Sequence, residues 1–155
     1  MPDVYIGIDP GASGALCALL AKQNKMIFKD TTEDPSKLIE WIDQIKTGYN
    51  LRVIMIEDVH SLPLVSAKSN FSFGYNLGVI TTIAMACNVM VDKVPPKKWQ
   101  KFAGVKEKGP AIKKEVAEIA SRLYPNAVLH TPRGRLLDGR SDALMIAHYA
   151  AYNRT

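Results

Sequence analysis

The chain has 155 residues, of which 47% are hydrophobic and 23% are charged. This composition is typical of globular proteins and too apolar for intrinsic disorder, and the length suits one domain, expected over residues 1–155. A membrane span is not expected because no run of 18 apolar residues occurs. Cys17 and Cys87 lie in apolar segments and are predicted to be buried thiols, which favours a reducing compartment. A strand pattern begins almost at the first residue, so neither a signal peptide nor secretion is expected.

The net charge of +5 is unevenly distributed along the chain. Residues 93–114, the lysine-rich segment, contain eight lysines and one acid and carry +7, which leaves −2 for the other residues. Trp99 and Phe102 lie within this segment. Basic residues interleaved with aromatic residues are typical of surfaces that bind a phosphate backbone. A lysine-rich surface that serves only solubility is the alternative.

In the first half of the chain, apolar runs and turn residues predict strands, with one helix between them. Three short strands joined by turns, a pattern typical of an antiparallel meander, are expected at residues 4–9, 15–21 and 25–29. Apolar residues at helical spacing predict an amphipathic helix over residues 35–46, and a buried strand follows at 51–56.

The second half is predicted to be mostly helical. After a loop at 61–70, the expected elements are a long apolar helix at 71–90, a fifth strand at 89–94 and helices at 96–102, 110–124 and 141–152. An irregular, arginine-containing loop is expected at 127–139. Helices between the late strands imply parallel pairing. The fold class is therefore predicted to be α/β, with a mixed five-stranded sheet of three antiparallel and then two parallel strands, and helices on both faces.

Four acidic residues occur where strands end or a helix begins. Asp9 ends the first predicted strand, Glu57 follows the fourth, and Asp138 and Asp142 flank the start of the last helix. The first and fourth strands are the most apolar, so we expect them to be neighbours at the sheet centre, with Asp9 and Glu57 close together. A separation of four residues places Asp138 and Asp142 on one helix face if the helix begins near 138.

Carboxylates gathered in one place repel each other, and a hard divalent cation such as Mg²⁺ relieves that repulsion. Two such ions can support phosphodiester hydrolysis, with the lysine-rich segment holding the substrate. Each acid also has a structural interpretation, because Asp9 could stabilise the Pro-Gly turn and the two late acids could favour a helix N-terminus. The four together favour a metal-dependent nuclease.

Several motifs, taken in order, resemble the RuvC-like Holliday-junction resolvases of the RNase H-like superfamily. The matching stretches are GIDPG at 7–11, IE at 56–57, FGYNLG at 73–78, PPKKW at 95–99, KK at 113–114 and SDALMIA at 141–147. The resemblance runs from about residue 4 to 150. The spacing of four between Asp138 and Asp142 is closest to the phage-encoded and chloroplast branch, whereas the bacterial pattern of three would place the first acid at Gly139.

This resemblance implies a structure-selective endonuclease that resolves four-way DNA junctions by paired symmetric nicks, leaving 5′-phosphate and 3′-hydroxyl ends. Two Mg²⁺ ions, or Mn²⁺ in their place, would be bound by Asp9, Glu57, Asp138 and Asp142, and Lys113 would contact the scissile or a neighbouring phosphate. No nucleotide cofactor and no membrane are implied. The protein is expected to be a homodimer that acts in the cytoplasm or nucleoid of a bacterial or phage-infected cell, or in an organelle.

The DNA-binding residues are expected in two regions. One is the lysine-rich segment, with Lys97, Lys98, Lys101, Lys106, Lys108 and Lys114. The other precedes or opens the long helix, where aromatic residues could stack on unpaired bases and polar residues could contact base edges. It comprises Ser69, Asn70, Phe71 and Phe73, although Phe71 and Phe73 could instead cover the sheet edge or pack at the start of the helix. Tyr75 is expected in the core. Three rival functions are considered. The first is an actin-like phosphotransferase, for which the chain is too short. The others are another RNase H-like nuclease, acting on RNA–DNA hybrid or structured RNA, and a junction-binding protein that does not cut.

Overall fold

The computed structural model describes residues 1–32, 34–60 and 63–153. One mixed sheet contains five strands in the order β3-β2-β1-β4-β5. The strands are β1 (Asp3–Asp9), β2 (Ala15–Leu20), β3 (Lys25–Asp30), β4 (Asn50–Glu57) and β5 (Val91–Val94). Strands β1, β2 and β3 pair antiparallel, whereas β4 pairs parallel with both β1 and β5. The predicted fold class and the central pairing of the first and fourth strands are therefore confirmed.

The helices are α1 (Pro35–Gly48), α2 (Ala67–Ala86), α3 (Pro96–Ala103), α4 (Ala111–Leu123) and α5 (Asp138–Tyr152). Helices α1 and α2 cover one face of the sheet, and α3, α4 and α5 cover the other. In β4, for example, Ile54 and Ile56 join the first layer, while Val53 and Met55 join the second. Burial on both faces explains why the central strands are continuously apolar.

The bounds of α2 and α5 differ most from the prediction, and α2 also ends at Ala86 instead of 90. Helix α2 begins at Ala67, inside the predicted loop, because the Ser66 side chain accepts a hydrogen bond from the Ser69 N–H at 3.2 Å and caps the helix. Helix α5 begins at Asp138 instead of 141. Part of the predicted loop, residues 61 and 62, lies outside the described residues. No helix in the described ranges is long and apolar enough to cross a bilayer.

Helix α2 is buried on one side only. Ile80, Ile83 and Ala84 pack against the sheet, whereas Met85 is 66% exposed. The prediction that Tyr75 belongs to the core is wrong, since its side chain is 63% exposed. A stretch rich in apolar residues does not show by itself which of its side chains reach the sheet. Both cysteines are buried and free, as predicted.

Candidate active site

The paired strand ends bring the first two predicted acids together. Ile8 of β1 is in register with Ile56 of β4, so Asp9 and Glu57 are the next residues along two adjacent parallel strands. Alternation along a strand puts both side chains on the face covered by α3, α4 and α5. Glu57 is one of the few polar residues that are buried. The expected proximity of these carboxylates is also evident in their electrostatic interaction.

Helix α5 reaches this edge of the sheet because two glycines allow close packing. A Cβ at Gly7 would collide with the backbone of Ala143 and Ala147, and a Cβ at Gly139 would collide with the carbonyl of Ser13. Glycine is required where two backbones approach this closely. The first turns of α5 therefore lie across β1 and the β1–β2 turn. This packing places Asp138 and Asp142, one helical turn apart, beside the strand ends.

Asp142 interacts electrostatically with each of the other three carboxylates. Burial, followed by the charges of Asp9, Glu57 and Asp138, raises the pKa of Asp142 to about 8. Burial and the charge of Asp9 raise the pKa of Glu57 to about 7. The pKa of Asp9 is also raised, mainly by burial, although the Gly11 N–H donates to its carboxylate at 3.0 Å. Buried acids with raised pKa values in one cluster are typical of functional sites.

Lys113 is the cation beside this cluster. Its Nζ lies 2.7 Å from Oδ2 of Asp138 in a partly exposed ion pair. The pKa of Lys113 is raised, first by the hydrogen bond to Asp138 and then by the charges of Asp138, Asp142 and Asp9. Lys113 is expected from the sequence to contact a phosphate of the substrate, and the structure places its ammonium beside Asp138.

Trp99 is a site residue whose contact with the cluster the sequence did not reveal. Its side chain, only 1% exposed, donates a hydrogen bond from Nε1 to Oε2 of Glu57 at 2.8 Å. From the sequence, Trp99 is expected to belong to a surface of basic and aromatic residues that binds a phosphate backbone. The sequence nevertheless contains a signal for this contact. The indole N–H of a buried tryptophan needs a hydrogen-bond acceptor, and α3 follows β5, the strand next to β4.

The remaining predicted lysines are exposed to solvent. Lys97, Lys98 and Lys101 are exposed on α3, Lys106 and Lys108 are exposed in the loop after it, and Lys114 is exposed on α4. Glu115 accepts hydrogen bonds from the backbone N–H groups of Lys106 and Glu107, which holds that loop against α4. Of the predicted lysines, Lys113 alone pairs with a carboxylate in the described part of the chain.

The predicted base-contacting residues lie in the first turns of α2, between two clefts. Phe71, 75% exposed, and Tyr75 line a cleft of about 460 Å³ that also contacts Gly11, whose N–H binds Asp9. Ser69, Asn70 and Phe73 line a second cleft of about 550 Å³ on the other side. Both residues lie within α2, and side chains two residues apart on a helix do not share a face. Phe71 and Phe73 therefore face different clefts.

Carboxylate oxygens are suitable ligands for a hard cation, but these carboxylates are not arranged around a single metal position. Among residues 1–32, 34–60 and 63–153, no three His, Cys, Asp or Glu side chains form a group that could hold a metal ion. The cluster nevertheless consists entirely of carboxylate oxygens, which Mg²⁺ and Mn²⁺ prefer. A bound cation would have to draw these side chains closer together.

Comparison with solved structures identifies the fold. Thermus thermophilus RuvC in complex with Holliday junction substrate superimposes with a TM-score of 0.62, over 96% of this chain and 95% of that one, at 18% sequence identity. This chain has the RuvC-like fold. A second Thermus thermophilus RuvC structure gives a TM-score of 0.56, 18% identity and coverage of 97% and 96% of the two chains. No family model and no curated protein sequence matches this chain.

Proposed function

We propose that this protein is a metal-dependent endonuclease that resolves four-way DNA junctions by paired symmetric nicks. The observation that carries the proposal is the meeting of Asp9, Glu57, Asp138 and Asp142 at one edge of a RuvC-like sheet. These residues come from three elements far apart in the sequence. The spacing of Asp138 and Asp142 supports a place in the phage-encoded and chloroplast branch.

The four carboxylates would hold two Mg²⁺ ions, for which Mn²⁺ would substitute. When bound, the ions supply an activated water and stabilise the leaving oxygen of the phosphodiester. The residues fit this role by their donor chemistry and by the repulsion that a cation would relieve, since each of Asp9, Glu57 and Asp142 has a raised pKa.

The chain's own residues would orient the carboxylates and the substrate. Trp99 holds the Glu57 carboxylate in one orientation through its indole N–H. Lys113 neutralises Asp138 in the free protein, and its exposed ammonium would shift to a phosphate oxygen when DNA binds. The exposed lysines of α3, α4 and the loop between them would contact the phosphate backbone of the junction arms.

Helix α2 would contribute to junction recognition and to dimer formation. The exposed Phe71 and the half-buried Phe73 would stack on unpaired bases at the junction centre, with Ser69 and Asn70 reaching base edges. Exposed apolar side chains farther along α2, such as Met85, would pack against a second copy of the chain. A symmetric dimer would place two active sites at equivalent strands of a nearly two-fold symmetric junction.

The proposal is tested with a labelled four-way junction, a linear duplex of the same sequence and an RNA–DNA hybrid, each incubated in Mg²⁺ or EDTA. Symmetric nicks in the junction alone, absent in EDTA and with Asp9→Asn, are the expected result. Cutting of the hybrid instead would replace the junction as the substrate. Junction binding without cutting would make the protein a binding module.

A further inference from the structure

The connection between α4 and α5 contains a tight turn with two arginines. Residues 131–135, Thr-Pro-Arg-Gly-Arg, form this arginine turn, which is closed by three hydrogen bonds. The N–H of Thr131 donates to the carbonyl of Arg135 at 2.8 Å, and the N–H of Gly134 donates to the carbonyl of Thr131 at 2.8 Å. The N–H of Arg135 also donates to Oγ1 of Thr131 at 3.1 Å. Gly134 has φ of +86°, which favours glycine at this position.

The base of the arginine turn is anchored to the folded core. The N–H of Leu137 donates to the carbonyl of Leu129 at 2.8 Å, and Leu129 is buried. Arg140 binds the Asp30 carboxylate through two nitrogens, at 2.7 and 2.8 Å, and donates to the carbonyl of Val128 at 3.2 Å. The connection is therefore tied both to β3 and to the start of α5, so it presents its arginines from a defined backbone.

Arg133 and Arg135 are free to bind an external anion. Both residues are exposed, and in the described ranges neither guanidinium has a hydrogen bond or an ion pair. Arg140 differs, since each of its three guanidinium nitrogens donates a hydrogen bond to Asp30 or Val128. Three residues of chain span at most about 11 Å, so the Cα atom of Arg135 lies within that distance of the Cα atom of Asp138. By the same measure the Cα atom of Arg133, five residues from Asp138, lies within about 18 Å of it, so the arginine turn lies near the start of α5 and outside the lysine-rich segment.

We propose that the arginine turn is a second phosphate-binding element, which holds the DNA strand beside the carboxylate cluster. This inference rests on the proposed function, because it assigns a further contact to the same substrate. A guanidinium binds two oxygens of one phosphate with matched geometry, which an ammonium cannot do. One phosphate occurs per about 3.4 Å along each DNA strand, so a turn whose backbone lies within about 18 Å of Asp138 would contact phosphates roughly five nucleotides or fewer from the reaction centre. Its closed backbone reduces the entropy lost on binding.

The test measures binding of a fluorescent four-way junction and a matched duplex by anisotropy, in EDTA and over a series of KCl concentrations. The variant Arg133→Gln/Arg135→Gln is compared with the wild type and with Lys22→Gln/Arg52→Gln. Lys22 and Arg52 are exposed residues at the opposite end of the sheet, so the control removes the same charge there. A third variant, Arg133→Lys/Arg135→Lys, keeps the charge and removes the bidentate geometry.

The loss of two phosphate contacts is expected to weaken binding about tenfold to a hundredfold and to reduce the slope of log K against log salt by about 1.8. The distal control should retain the wild-type slope, and the lysine variant should retain the slope with weaker binding. An unchanged slope and affinity in the glutamine variant, with a wild-type protein that resolves junctions, would overturn the inference and leave the proposed function intact. A wild-type protein that binds DNA without cutting, with the slope still reduced in the glutamine variant, would support the arginine turn and refute the resolvase proposal.

Discussion

Replacing Asp142 by Asn is expected to stabilise the metal-free protein. Asn has nearly the shape of Asp but no charge to bury, and Asp142 is surrounded by Asp9, Glu57 and Asp138. In the described part of the chain, no group donates a hydrogen bond to the Asp142 side chain, so its ionised form is poorly compensated. The same substitution should abolish cleavage if Asp142 is a metal ligand as proposed.

The size of the effect follows from the pKa of Asp142, which is raised from 3.8 to about 8. One pKa unit corresponds to about 1.4 kcal/mol. At pH 7 the Asp142 carboxyl group is ionised in the unfolded chain but largely protonated in the folded state. This difference lowers the unfolding free energy of the wild type by roughly 4 kcal/mol relative to the Asn variant. At pH 5 the cost falls to roughly 2 kcal/mol. Since the folded state binds more protons between these pKa values, the stability contributed by this group falls as the pH rises.

The assay is urea unfolding in EDTA at pH 7 and pH 5, with Asp43→Asn as the matched control. Asp43 is exposed on α1, so neutralising it should change the unfolding free energy by about 0.5 kcal/mol or less. An Asp142→Asn protein no more stable than wild type at pH 7 would refute the argument from burial and repulsion. An equal gain at both pH values would show that shape, not charge, is responsible.

Three further substitutions test the packing and orientation of the site. Trp99→Phe removes the hydrogen bond to Glu57 and is expected to lower the cleavage rate about tenfold with unchanged junction binding; lower thermal stability with a normal rate would assign Trp99 to packing alone. Lys113→Ala is expected to slow cleavage far more than it weakens binding, and equal losses in both measurements would make it a binding residue only. Gly7→Ala should yield no folded protein because its Cβ would meet the backbone of α5, whereas Gly48→Ala, with open space around it, should fold normally by circular dichroism.

The strand ends were predictable because a sheet imposes a simple geometry. Continuous apolar runs identified β1 and β4, and parallel pairing then required Asp9 and Glu57 to be neighbours. The placement of Asp138 and Asp142 depended on the start of α5, which the structure puts at Asp138. The sequence supports this start only weakly, since no side chain caps the helix at Leu137.

Predictions failed where a local pattern is ambiguous without tertiary contacts. The first turn of α2 is polar and reads as a loop, and only the Ser66 cap shows that the helix has begun. Tyr75 is expected in the core from the sequence, but its side chain lines a cleft. Trp99 was placed correctly on a helix, but its partner Glu57 lies 42 residues earlier, and such a pairing follows only from the packing of α3 beside β4.

The hydrogen bonds around the carboxylates argue against a purely structural role for the cluster. A structural buried acid is normally satisfied by several donors, because an unpaired buried charge is costly. Here Asp9 has the Gly11 N–H, Glu57 has the Trp99 indole and Asp138 has Lys113, while Asp142 has no hydrogen-bond donor in the described ranges. Four acids with three donors lower the stability of the metal-free fold, and the binding of cations would compensate for that loss. Since the acids come together only in the folded chain, such binding would also be coupled to folding.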